Sequence, residues 1–400
     1  MKLLLVSLFY EYRFGGAEMV ARTLREIWEQ QLDWRVDVLC YEGGGHPEAG
    51  GGVRRIPRAR LWRGRAEAFK RACLFLSHGA WDASLEERAL PLWPSPQDYD
   101  LVCCADVNAL PLSLRLARRW QRPLVGYLQE GLPRRLAPGQ ANGLVRLILN
   151  GLLARRERAW QHALRECRAV ACVSDFIRER GQQFAGGGAR WLTAFPPAEP
   201  YVLNPSPGES PVAPPQGSVL FIGRLSMEKG LHLVLQAWRR MPPQATLTLA
   251  GLGGPLQRAA QAAARADRRI TLLAPLPHAQ VPALMARHQV VCCPSLVEES
   301  FGRTALEARA ARRSVVVTDR GALPEVMAGY PLTWMLRAGA PPEMLAEELG
   351  ASLGRALAGH RELTGAEVAQ EQRALERFGA ASVARQWAEL AATLPRASIS

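Results

Sequence analysis

Apolar, β-branched runs alternate along the chain with stretches whose apolar residues recur at helical spacing. Lys2 to Leu8 scarcely alternates, as a strand buried on both faces does not, and Phe14-Gly15-Gly16-Ala17-Glu18 then opens a helix with Val20, Leu24 and Ile27 on one face. Further strands are expected at Trp34 to Cys40, Leu101 to Cys104, Pro123 to Leu128, Arg168 to Val173, Trp191 to Thr193, Val219 to Ile222, Thr246 to Leu249, Ile270 to Leu273 and Gln289 to Cys293. Tyr201 to Ser218 carries prolines at 205, 207, 211, 214 and 215 with few large apolar groups, which is a linker composition. The pattern predicts an α/β chain of two Rossmann-like domains: residues 1–200, a linker at 201–217, residues 218–378, and a C-terminal helix and tail at 379–400.

Candidate chemistry concentrates between Ser295 and Glu307, where the apolar run Gln289 to Cys293 feeds a loop and Thr304 to Arg312 has helical composition. Gly302 lets backbone approach a ligand, and free amides at a helix start favour an anion such as phosphate. Glu299 and Glu307, eight positions apart, are suited to accept hydrogen bonds from sugar or ribose hydroxyls. Solvated acids favoured by a helix macrodipole would look the same, so the spacing alone leaves both readings open. A second strand-loop-helix follows the same logic: Val219 to Ile222 leads into Gly223-Arg224 and then Lys229-Gly230, ahead of Leu233, Ala237 and Trp238. Two cations beside amide donors are suited to an anion such as phosphate.

Other motifs are set aside on spacing. Ala250-Gly251-Leu252-Gly253-Gly254 invites a dinucleotide-binding reading, but its third glycine position is Leu256 and no acid stands near the end of the next strand. Asp98-Tyr99-Asp100 precedes a strand, so it reads as a turn and not as a metal-binding Asp-x-Asp. His232, His278 and His288 have no mutual metal spacing and read as structural or solvated, and no metal centre is expected.

Composition narrows this further. The chain has 400 residues, enough for two α/β cores, and eight cysteines without CxxC spacing, which read as reduced core residues of a cytoplasmic protein. No apolar stretch reaches the roughly 18 residues of a membrane helix, and the N-terminal run lacks a small-residue cleavage site. The formal charge of +13 is compatible with acidic ligands, anionic lipid, nucleic acid or mere solubility, and does not choose among them. Lysine occurs only at positions 2, 70 and 229 among 50 basic residues, which singles out Lys229 as a compact point charge for phosphate. Arginine mixes with bulky apolar groups over Arg54 to Arg71 and Gly143 to Trp160, so either could rest on anionic lipid at the inner face of a membrane, or be a packed helix with a solvated basic face.

Glu299-Ser300-Phe301-Gly302 followed by Glu307, with Pro294-Ser295 before and Ser314 to Val326 after, resembles the motif of glycosyltransferase family 4, retaining nucleotide-sugar enzymes of the GT-B fold. The resemblance is specific from Ser218 to Val326 and looser before that. It implies two Rossmann-like domains facing across a cleft, with the last helix crossing back to the first domain, and glycosyl transfer from a nucleoside-diphosphate sugar to a saccharide or lipid-linked acceptor. No metal or cofactor and no nucleic-acid partner is implied. Glu299 would contact the donor sugar, Glu307 the ribose hydroxyls, the amides around Ser300, Phe301 and Gly302 the sugar and phosphate, and Gly223, Arg224 and Lys229 the diphosphate. Gly15 and Gly16 resemble the N-terminal loop that faces donor phosphates and acceptor. A histidine that many family members place after the strand Pro123 to Leu128 is missing, and Gln129 or Glu130 takes its place, with Glu130 counted among the candidate catalytic residues. A sugar-nucleotide epimerase or hydrolase of the same fold, or a catalytically silent partner subunit, remains as an alternative.

Overall fold

The structure is a computed structural model that describes residues 1–11, 16–42, 52–56, 86, 89–92, 99–130, 143–203, 213–251 and 253–394. It forms two compact units, Met1–Pro197 with Ala380–Ser400, and Ala198–Gly379.

The first unit is built on β1 (Lys2–Val6), β2 (Arg35–Tyr41), β3 (Val53–Ile56), β4 (Leu101–Cys104), β5 (Leu124–Leu128), β6 (Ala169–Cys172) and β7 (Arg190–Thr193), all parallel, in the order β3-β2-β1-β4-β5-β6-β7. Leu3 to Val6 and all of β4 and β5 are buried, which is why these runs do not alternate: both sheet faces are covered. The helices are α1 (Gly16–Gln31), α2 (Leu110–Trp120), α3 (Gly143–Glu166) and α4 (Asp175–Ala185). Ser174 caps α4 by accepting from the Ile177 amide at 3.1 Å.

The second unit begins with the short α5 (Pro200–Leu203). Its sheet comprises β8 (Ser218–Ile222), β9 (Thr246–Ala250), β10 (Ile270–Leu272), β11 (Val290–Cys293), β12 (Ser314–Thr318) and β13 (Thr333–Leu336), again all parallel, in the order β10-β9-β8-β11-β12-β13. The helices between are α6 (Leu231–Trp238), α7 (Gln257–Ala266), α8 (Val281–Ala286), α9 (Arg303–Ala310), α10 (Leu323–Met327), α11 (Pro342–Ala358) and α12 (Gly365–Glu376). Phe221, Val234, Trp238, Leu349 and Leu353 meet in its core.

The last helix, α13 (Ala380–Ala392), returns to the first unit, as the resemblance implied. Its fully buried Trp387 packs edge-on against Trp28 of α1 at 4.7 Å and Tyr127 of β5 at 5.4 Å, a preferred aromatic geometry.

Three strands were not among those expected, and of these Ser314–Thr318 is buried throughout. Val53–Ile56 carries two arginines in four residues and falls where a basic surface segment was read, and Thr333–Leu336 is as short with only its last residue buried. Residues 57–71 of that basic segment, Cys73 and residues 204–212 of the proline-rich stretch lie outside the described residues. Of the Asp-x-Asp triplet, Asp98 is not described, Asp100 accepts the Lys2 amide at 2.7 Å, and the buried Tyr99 hydroxyl donates to Asp37, so Tyr99 and Asp100 lead into β4. Six of the described cysteines are buried and none forms a disulfide, and burial pushes the Cys104 thiol up to about 12.

Candidate functional site

In an open parallel sheet, ligands bind where the strand order reverses, because loops leaving the carboxyl ends of the two strands there part in opposite directions. In the second unit that point lies between β8 and β11. The loop after β8 carries Gly223 to Gly230, and the loop after β11 carries Pro294 to Gly302. The two are stitched together: the Leu296 amide donates to the Glu228 carbonyl at 2.8 Å, and Gly230, in the left-handed region at φ 76°, leaves no room for a side chain against the Pro294 carbonyl oxygen.

This stitching brings Lys229 to Glu299, with Nζ 2.5 Å from Oε1 in a partly buried contact. Glu299 is also fixed through its backbone, which bridges to Gly321 after β12 and accepts the Ala322 amide at 2.8 Å. Arg224 is different. It is exposed and lies 3.9 Å from Glu228, also exposed, a pair of little energetic weight. The Cys293 thiol at the end of β11 is pushed up to about 12 by desolvation and the nearby Glu299 charge, so it stays protonated and is no nucleophile at neutral pH.

Gly302 caps α9 in the left-handed region at φ 94° without a side-chain cap, which turns the chain sharply from the motif loop into the helix. The buried Phe301 ring lies edge-on to Phe378 at 5.4 Å. Glu307 sits on α9 and is only 6% exposed. Its Oε1 lies 3.0 Å from His278 Nε2 and 3.9 Å from the Arg303 guanidinium, and its Oε2 has no partner among the described residues. Arg303 in turn meets both Glu199 oxygens at 2.6 Å. The back of α9 is clamped by Arg309, which pairs with Glu371 of α12 at 2.6 Å in a fully buried contact and donates to the Val326 and Ala328 carbonyls.

Of the two readings the sequence left for His278, structural or solvated, its contact with Glu307 excludes the solvated one. Its bond to Glu307 raises its pKa above the ordinary histidine value, against an opposing effect of burial and of Arg303. Ligand atoms of Glu199, His278 and Glu307 all lie within 4.8 Å of one another, a grouping that could hold a metal ion. Arg303 stands among them and already supplies the positive charge.

In the first unit, the reversal falls between β1 and β4. Gly15 lies outside the described residues, and Gly16 is the exposed first residue of α1. Glu130, just past β5, is exposed, whereas Gln129 is 9% exposed. The Gln129 amide donates to the Ala105 carbonyl at 3.1 Å, and its Oε1 is buried with no partner among the described residues.

Family models agree with this architecture on both units: "Glycosyltransferase Family 4" matches residues 14–191 and "Glycosyl transferases group 1" matches residues 216–354. The chain belongs to glycosyltransferase family 4, with the GT-B fold. It is 30% identical over 234 residues to a glycogen synthase of Mycobacterium tuberculosis, an alignment covering 57% of this chain and 54% of that protein. The chain thus spans about half the length of the curated relatives it matches. Among solved structures it resembles Anabaena HepE in complex with UDP and glucose (TM-score 0.68, 20% identity, covering 98% of this chain and 100% of that one). It also resembles sucrose-phosphate synthase from Thermosynechococcus elongatus (TM-score 0.71, 18% identity, 98% of each chain).

Proposed function

We propose that the chain is a hexosyltransferase-type glycosyltransferase that moves a sugar from a nucleoside-diphosphate sugar to a saccharide or lipid-linked acceptor, with retention and without a metal. The observation that carries the reading is the Lys229–Glu299 contact at the strand-order reversal, on the same loop and helix as the buried Glu307. An arriving diphosphate competes with Glu299 for Lys229, and the exchange frees Glu299 for a sugar hydroxyl and the positive charge that develops at the anomeric carbon. Exposed Arg224 is placed on the same loop to add a second cation once phosphate is present. Glu307 keeps Oε2 for the ribose.

A thermal-shift screen of UDP-, GDP- and ADP-sugars, followed by product analysis with and without acceptor, tests this. One donor is expected to raise the melting temperature and to be consumed only with acceptor, with turnover unchanged in EDTA. Consumption of donor alone would assign a hydrolase or epimerase, and loss of turnover on chelation, restored by magnesium or manganese, would overturn the metal-free reading.

We further infer peripheral contact with anionic lipid at the cytoplasmic face of a membrane through α3, where Leu147, Gly151, Arg155 and Arg158 are exposed at helical spacing and Leu147 is 70% exposed. Among the described residues no helix is long and apolar enough to cross a membrane. Failure to co-sediment with anionic liposomes at low salt would overturn this inference alone.

A further inference from the structure

We infer that His278 is a positioning residue that makes the hold on a nucleotide's ribose depend on pH, by fastening one oxygen of Glu307 and leaving the other for the ribose diol. The inference rests on the nucleotide-sugar reading above and deepens it. Charged side chains from three places meet here: Arg303 and Glu307 on α9, Glu199 just before α5, and His278 at the head of the turn that leads into α8. Glu307, Arg303 and Glu199 each act on the charge of His278.

Geometry assigns the roles. Arg303 is committed to Glu199, meeting both its oxygens at 2.6 Å and standing 3.9 Å from Glu307, so the close partner of Glu307 is the imidazole at 3.0 Å. A neutral imidazole donates to Glu307 only in the tautomer with its proton on Nε2, and the other tautomer turns a lone pair toward the carboxylate. The imidazolium donates from both nitrogens and adds charge to the bond, which shortens and strengthens it. Protonation thus orders Glu307 before the ligand arrives and adds a positive charge near a site proposed for a diphosphate; both effects favour binding. The pKa direction fits: the bond to Glu307 holds His278 above the ordinary histidine value and so favours the charged form.

The test is calorimetry on the full chain with UDP, ADP and GDP, and with inorganic pyrophosphate, between pH 6 and 8, for wild type and His278→Gln. Glutamine keeps a neutral donor and cannot titrate, and the ligand's own phosphate titration is common to both proteins. The wild type is expected to lose about fivefold more nucleotide affinity across this range than H278Q, the difference between a charged and a neutral hydrogen bond. Pyrophosphate, which has no ribose, is expected to show a smaller gap between the two proteins, that of the added charge alone. Parallel nucleotide profiles would overturn the inference, as would an equal gap with pyrophosphate, which would reduce His278 to a charge near the phosphates. A wild type that binds none of the three nucleotides would instead overturn the nucleotide reading, and this inference with it. His278→Asn, carried through the same series, replaces H278Q should the latter fail to fold.

Discussion

The two units are built on the same kind of sheet, yet the strand ends at which each would meet a ligand are furnished differently. At the reversal of the second sheet the groups are charged and already engaged with one another: Lys229 with Glu299, Glu307 with His278, Arg303 with Glu199, and behind them Arg309 with Glu371. At the first sheet the buried Glu11 is neutralised by Arg55 at 2.5 Å, and Gln129 holds a buried neutral amide oxygen without a partner among the described residues. The difference teaches what each edge can recognise. Ion pairs with partly exposed members can exchange partners with an incoming anion, whereas a buried neutral acceptor with an unfilled lone pair fits a hydroxyl.

The contrast breaks most directly at Arg309 and Glu371, where charge in the second unit is structural. Truncating one member of a buried pair leaves an uncompensated charge, so Glu371→Ala is expected to cost about 3–5 kcal/mol of unfolding free energy in urea. The double change Arg309→Met with Glu371→Leu is expected to recover most of it. A loss below about 1 kcal/mol for E371A would show that α9 is not held by this pair.

Next in size are the two acids of the motif, whose surroundings differ enough that their variants are expected to fail differently. Glu299 faces a lysine that a diphosphate can claim, so Glu299→Gln, which keeps the shape and removes the charge, is expected to lower kcat by ~10²-fold while nucleotide affinity scarcely moves. Glu307 is buried with one oxygen committed, so Glu307→Ala is expected to weaken binding of free nucleotide by about tenfold and to act on turnover mainly through donor affinity. Calorimetry paired with turnover separates them. Matching profiles for the two variants would remove the division of labour between sugar and ribose.

What the sequence made legible follows the same contrast. The buried strands announce themselves as unbroken apolar runs because both faces are covered, and the motif spacing marked Glu299, Glu307, Arg224 and Lys229 before any geometry was known. Strands of four residues with exposed polar positions, such as Val53–Ile56, carry too little pattern to be read. His278 was missed for another reason. Its partner lies 29 positions away on α9, and a lone histidine has no spacing to register. A signal existed in its place just ahead of the strand that feeds the motif, but only the fold turns that neighbourhood into a contact. Glu199 and Arg303, 104 positions apart, are the same case.

The smallest expected effect tests the neutral edge. The amide orientation of Gln129 is fixed by the Ala105 carbonyl, which can only accept, so the nitrogen donates and the oxygen is left buried without a partner among the described residues. Leaving an acceptor unsatisfied costs about 1–3 kcal/mol, a cost that a bound hydroxyl would offset. Gln129→Leu removes the unsatisfied oxygen but also strands the Ala105 carbonyl, so the two changes offset and stability is expected to shift by less than about 1 kcal/mol. Activity is where the residue shows: one lost neutral hydrogen bond corresponds to about a fivefold fall in kcat/KM. In the same variant, affinity for free nucleotide is expected to stay unchanged, because the charged groups proposed to hold nucleotide all belong to the second unit. A Gln129→Leu protein with wild-type kcat/KM would mean that the first sheet's edge meets no substrate through this group, and a loss of nucleotide affinity would erase the distinction between the two edges.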